Sequence, residues 1–161
     1  MDEKEVRYFN LVIRYLSYRP RSEKEILDYL KKKLDRSSID EEKREEVIAS
    51  IMAKLVKYNY VNDIDFAKFW INQRINSKKK PLRVIEFELM QKGISKDLFQ
   101  PILSNLSSDL ELNNAKELAE RKLNFLRKET PKKRKEKTIQ FLLRKGFSFD
   151  VARKAVEFYK V

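Results

Sequence analysis

Apolar residues recur along this chain at intervals of three and four. Val6, Phe9, Ile13 and Leu16 make one stripe, with Tyr8, Val12 and Tyr15 beside it. Ile26, Leu27, Leu30 and Leu34 make a second, and Val47, Ile48, Ile51, Met52 and Leu55 a third. Further on, Phe66, Phe69, Trp70 and Gln73 share one edge, with Ile64, Ala67, Ile71 and Ile75 on the adjoining edge. That spacing puts side chains on one face of an α-helix, and no stretch sustains the strict alternation of a strand. The pattern predicts an all-α fold, with the apolar residues of 64–75 in the core. A role for Phe69 or Trp70 in stacking on a nucleic-acid base is the less favoured reading.

Helix starts are marked. Ser22, Ser38 and Ser108 each precede a Glu by three residues, the capping-box spacing. Thr130 precedes Pro131, a cap before a proline at the first helical position. Asn62, Asp63 and Asp65 place a cap and two acids in one first turn, where the helix dipole favours negative charge. Capping accounts for the two aspartates better than acid–base chemistry does. The chain also repeats: "LMQKGISKDL" (89–98) and "LLRKGFSFDV" (142–151) agree at Leu, Lys, Gly, Ser and Asp. Gly93 and Gly146, the only glycines, sit at the same point of both copies, where a helix should end in the left-handed conformation. Pro20, Pro81 and Pro131 mark a common junction, and Pro101 lies apart. These marks predict three units, 1–58, 59–107 and 108–161, each of three helices. Units of that size bury little alone and must stack on their neighbours.

Composition narrows the function. Of 161 residues, 37 are Lys or Arg and 25 Asp or Glu, a net charge of +12 that points to an anionic partner. There is no Cys and no His, which removes disulfides, thiolate and imidazole catalysis and His-ligated metals. Two isolated glycines cannot form a phosphate loop. The expectation is a monomeric, cytoplasmic protein that is not an enzyme, carries no cofactor and enters no membrane.

Three blocks then resemble one family. "YVNDIDFAKFWINQR" (60–74) is similar to the Y-[LIV]-[DN]-D-x-x-[FY]-A-x-x-[FW]-[IV]-x-x-R signature of the RecX family. "RYLSYRPRSEKEILDYLKKK" (14–33) resembles its opening repeat, and "KPLRVIEFELMQKGIS" (80–95) its second-repeat helix. Asn59 stands where the family usually has Gly, and Asn tolerates the left-handed turn. The resemblance implies three tandem three-helix repeats forming an elongated, curved rod. It further implies a regulator, mainly an inhibitor, that binds the RecA nucleoprotein filament and restrains its ATPase, strand-exchange and co-protease activities, touching DNA directly or through the filament. Two other readings stay open: a general DNA-binding repeat protein, and a scaffold for an acidic protein.

The candidate contacts are basic. Arg14, Arg19 and Arg21 surround the first junction, ahead of Lys31 to Lys33. Arg74 either supports Trp70 by a cation–π contact or reaches a partner. Lys78, Lys79 and Lys80 either complement a helix C-terminus or, with Arg83 a turn later, hold an anion. The densest run is "RKETPKKRKEK": Arg127, Lys128, Lys132, Lys133, Arg134, Lys135 and Lys137 against Glu129 and Glu136. Cations in the first turns of a helix oppose its dipole, each at a cost of roughly 0.3–1 kcal/mol, so binding is the favoured reading there. Arg144 and Lys145 are expected to be structural. If the units align, the junction charges form one basic stripe.

Overall fold

The computed structural model describes residues 3–37, 39–107 and 109–160. Among these residues there are nine helices and no strand: α1 (Glu3–Leu16), α2 (Glu23–Leu34), α3 (Glu41–Lys57), α4 (Asp63–Asn76), α5 (Leu82–Gln91), α6 (Lys96–Ser104), α7 (Leu110–Phe125), α8 (Pro131–Lys145) and α9 (Phe149–Glu157). The helices α1 to α3 close on Val12, Ile26, Leu30, Leu34, Ile51 and Leu55, all essentially without exposure. The helices α7 to α9 close on a smaller core in which Ala115, Ala119, Ala152 and Ala155 allow close approach around Leu142 and Phe147. Between them in sequence, Phe66, Ala67, Trp70, Ile71 and Ile75 are buried on α4, and Ile85 and Leu89 on α5. Ile64, expected inside, is 44% exposed. Helical side chains lean toward the N-terminus, so one in the first turn of α4 reaches past the helix end.

The caps follow the sequence where it names them. Ser22 forms the full capping box with Glu25. Thr130 accepts from the Lys133 amide, Ser148 from Val151, and Asn62 from Ile64 and Asp65. Ser38 and Ser108 lie outside the described residues. The helices after them have Asp40 and Asp109 at the N-cap, and neither side chain makes a cap bond. Three helices end in the same double-bonded turn, closed at Asn59 (φ 54°), Gly93 (φ 81°) and Gly146 (φ 100°). In each, the next residue's amide reaches the carbonyl five back: Tyr60 to Leu55, Ile94 to Leu89 and Phe147 to Leu142.

The chain divides into two compact units. One runs up to Phe69 and includes Leu89–Phe99; the other holds Trp70–Glu88 and everything from Gln100 on. The middle repeat therefore contributes to both, and a duplicated joint explains why. In the first unit the Asp63 carboxylate accepts from the Glu23 amide at the start of α2 (2.9 Å), and the buried Ser22 hydroxyl donates to the Lys92 carbonyl (2.7 Å). In the second, the Glu111 carboxylate takes the same role for the Leu82 backbone at the start of α5. Burial raises both carboxyls despite those bonds. Each glycine sits at the same joint. A Cβ on Gly93 would lie 2.6 Å from Lys24 Cβ of α2, and one on Gly146 2.6 Å from Val84 Cγ2 of α5.

Two constraints thus coincide at each glycine, a left-handed φ and a neighbour in contact. Gly93→Ala and Gly146→Ala should each lower stability by about 1–3 kcal/mol, read as an earlier midpoint in urea. Asn59→Gly relieves the φ and gives up only an exposed bond from Asn62 Nδ2 (3.2 Å), and should leave the midpoint unchanged or later.

Candidate partner and nucleic-acid interface

In the first repeat, α1 ends at Leu16 and the chain turns through Pro20 into α2, bringing two arginines onto one carboxylate. Arg19 forms a two-pronged pair with Glu25, Nη2 to Oε1 at 2.7 Å and Nη1 to Oε2 at 3.1 Å. Lys92 adds its Nζ at 2.6 Å, and Arg21 lies 3.8 Å away. The Arg21 guanidinium also covers the Tyr15 ring at 3.8 Å, and Tyr15 stacks on Tyr29 with centroids 4.3 Å apart. Burial alone would raise the Glu25 carboxyl, but the hydrogen bonds and charges of Arg19 and Lys92 outweigh it and hold it down at about 2. Arg14 stands apart, exposed at the end of α1.

The second repeat builds the same device from different residues. Glu88 on α5 accepts from Trp70 Nε1 (2.9 Å), Arg74 Nε (2.6 Å) and Lys80 Nζ. The Arg74 guanidinium lies 3.9 Å from the centre of the Trp70 ring, the supporting role offered by the sequence. Burial raises the Glu88 carboxyl, but Lys80 and Arg74 bring it below its ordinary value. Lys79 takes a left-handed φ of 52° and pairs with Glu117 of α7 at 3.0 Å. Lys78 and Arg83 are exposed, and the charge of Arg83 acts on Glu111.

The third repeat departs from this plan. In the register set by Gly93 and Gly146, Phe141 stands where Glu88 stands in the second. Lys122 and Lys145 each lie 5.5 Å from its ring. Of the seven cations of the basic run, three are engaged: Arg134 Nη2 donates to the Leu123 carbonyl in the last turn of α7 (3.2 Å), Lys135 lies 3.8 Å from Glu157, and Lys137 pairs with Glu129. That bond, with the charge of Lys133, lowers the Glu129 carboxyl. Arg127, Lys128, Lys132 and Lys133 are exposed, and none makes an ion pair with another described residue. Between α7 and this group stands Phe125, 78% exposed, with Lys122 Nζ 4.9 Å from its ring. Phe125 was not among the sequence candidates, although its place directly before Leu126, Arg127 and Lys128 is a signal, an aromatic abutting a basic run. The structure thus gathers Arg19, Arg21, Arg74, Lys79 and Lys80 onto carboxylates of the chain, and leaves Arg127, Lys128, Lys132 and Lys133 exposed, with Arg127 and Lys128 lining a shallow cleft beside Phe125 and Glu129. Among the described residues no cluster of carboxylates could hold a metal, and no helix is long and apolar enough to cross a membrane.

Fold and composition together define a tandem array of three-helix repeats with a net positive charge. Family models for the first, second and third three-helix domains of RecX match residues 9–55, 62–100 and 109–156 in order, and the chain belongs to the RecX family of regulatory proteins. The regulatory protein RecX of Listeria innocua is 35% identical over 91% of this chain and 51% of its own length, and that of Oceanobacillus iheyensis 36% over 89% and 50%. The chain spans about half the length of the curated relatives it matches. A crystal structure of RecX from Lactobacillus salivarius superposes with a TM-score of 0.73 at 27% identity, covering 98% of this chain and 97% of that one.

The Glu25 clamp has a pH signature. A carboxyl held at about 2 when folded, against 4.5 for an unperturbed one, binds fewer protons in the native state. Its stabilisation is complete above pH 4.5 and is lost as pH falls toward 2. Glu25→Gln should therefore cost about 1–3 kcal/mol near neutrality, and the gap from wild type in urea unfolding should close across that window. A gap independent of pH would show that the carboxylate charge is not what holds the arginines.

Proposed function

We propose that this chain regulates the RecA recombinase by docking on its DNA-bound filament, with the turn between α7 and α8 as a principal contact. The observation that carries the reading is the set of exposed cations Arg127, Lys128, Lys132 and Lys133 that follows the exposed Phe125 in the chain, none of them in an ion pair with another described residue. Membership of the RecX family supports a regulatory role and points to RecA as the protein regulated. A nucleoprotein filament is a polyanion, and cations already freed from internal pairs meet it without breaking other contacts. Lys78 and Arg83, also exposed, add cations on the same unit, and Arg14 is an exposed cation of the other. Binding that favours one filament conformation over another shifts the ATPase, strand exchange and co-protease action without entering the nucleotide site. The action is mainly inhibitory.

Phe125 favours a second reading, direct binding of single-stranded DNA without the recombinase. Base–aromatic stacking contributes about 1–3 kcal/mol per base and tolerates any sequence. Under that reading Phe125→Ala weakens binding to oligo-dT alone by a corresponding factor, and affinity falls steeply with salt.

The test is the ATPase rate of RecA on single-stranded DNA at low salt, titrated with wild type and with a variant reversed to Glu at Arg127, Lys128, Lys132 and Lys133. Wild type should change the rate, and the variant should need roughly tenfold more protein or beyond for the same effect. Equal potency of the two proteins would refute the docking surface, and no effect of wild type would refute the reading itself.

A further inference from the structure

A cleft of ≈ 520 Å³ in the first repeat lies outside every contact considered so far. Its rim carries Lys4 and Arg7 from the start of α1, Lys33 from the last turn of α2, and Arg36 from the turn that follows. Its floor is apolar, made by Tyr8, Leu11 and Ile39. Lys4, Arg7, Tyr8 and Leu11 fall at helical spacing, so one face of α1 supplies half of the rim and most of the floor.

The chemistry of the cleft is one-sided. Among the described residues no carboxylate lines it, and none of its four cations makes an ion pair with another described residue. The other clefts differ: the one beside Tyr15 contains Glu25 and Asp28, and the three beyond contain Glu136, Glu129, or the group of Asp35, Glu41 and Glu45. Two acids close to this rim are committed elsewhere. Glu5 bonds Ser50 and Lys54 on α3, and Asp35 pairs with Arg44. Four cations lining one cleft, with no carboxylate among its described lining residues, suit an anion, and the guanidinium fork suits the paired oxygens of a phosphate; Lys33 Nζ also lies 5.4 Å from the Tyr29 ring. An apolar floor with a tyrosine ring suits a base or sugar. The volume lies within the range of small-ligand clefts, roughly 300–1,000 Å³.

We propose that this cleft binds a nucleotide unit, its phosphate held by Lys4, Arg7, Lys33 and Arg36 and its base or sugar laid on Tyr8, Leu11 and Ile39. The unit comes either from a DNA strand or from a free nucleotide, which share this chemistry. The site does not rest on the filament reading, because it uses none of the residues of the turn between α7 and α8.

The test titrates the full chain with fluorescein-labelled oligo-dT by anisotropy and with ATP by calorimetry. Arg7→Glu with Arg36→Glu is compared with Lys43→Glu and Lys57→Glu, which make the same change of charge at exposed positions of α3 outside the cleft. The cleft pair should weaken at least one probe by roughly tenfold more than the control pair, and should lower the salt slope for oligo-dT by about 1.4. Lys4→Gln with Lys33→Gln, which keeps the aliphatic stems, should give a smaller loss with unchanged thermal melting. Loss for oligo-dT alone assigns a strand, and loss for ATP alone assigns a free nucleotide. Reversal at Lys132 and Lys133 should leave the difference in place, so the two sites can fail separately. Equal weakening by both reversal pairs, or binding of neither probe, overturns the proposal. So does a polyglutamate peptide that shows the same dependence on Arg7 and Arg36.

Discussion

Positive charge brought to a helix junction must find a counter-charge or face outward, and that constraint organises this chain. In the first two repeats one carboxylate of the second helix answers it. Glu25 draws in Arg19, Arg21 and Lys92, and Glu88 draws in Trp70, Arg74 and Lys80. Each clamp lays a guanidinium on an aromatic ring of the preceding helix, Tyr15 or Trp70, so ion pair and stacking fix the same two elements. Desolvation works against such a carboxylate, and only several donors together offset it. The two clamps also secure the start of the helix on which the next repeat leans, where Asp63 caps α2 and Glu111 caps α5.

The third repeat lacks the carboxylate, and this links packing to function. With Phe141 in the place of Glu88, Lys122 and Lys145 have a ring to lie against where the second repeat offers a carboxylate. Part of the basic run is still absorbed locally, by the α7 carbonyl, Glu157 and Glu129. Lys132 and Lys133 oppose the dipole of α8, which has no acid in its first turn, whereas Arg127 and Lys128 follow the C-terminus of α7. An arrangement unfavourable to the isolated chain would become favourable against a polyanion, and that is the ground for proposing the contact at this turn.

Much of the fold was legible because its signals are local. Helical periodicity, the caps at Ser22, Thr130 and Ser148, and the two glycines are each set by neighbours within a few residues. The joints were not legible in the same way. Asp63 reads as a first-turn acid compensating a dipole, yet its oxygen reaches an amide forty residues earlier in the chain. The basic residues divide on the same principle. Composition shows that Arg19, Arg74 and Lys80 are cations, but only tertiary packing brings Glu25 or Glu88 within reach of them. Lys132 and Lys133 remain exposed, with no ion pair to another described residue. Phe125 escaped notice because a stripe of apolar residues does not reveal which member lies beyond the last covered turn.

The claim beneath all of this is that a carboxylate, gripped by a stacked arginine, fastens each of the first two repeats. A double-mutant cycle on Arg74→Ala and Glu88→Ala measures it, with unfolding in urea followed by the fluorescence of Trp70, the single tryptophan of the chain. The account predicts a coupling free energy of about 1–3 kcal/mol between the two positions. Losses that add to within about 0.3 kcal/mol would contradict it.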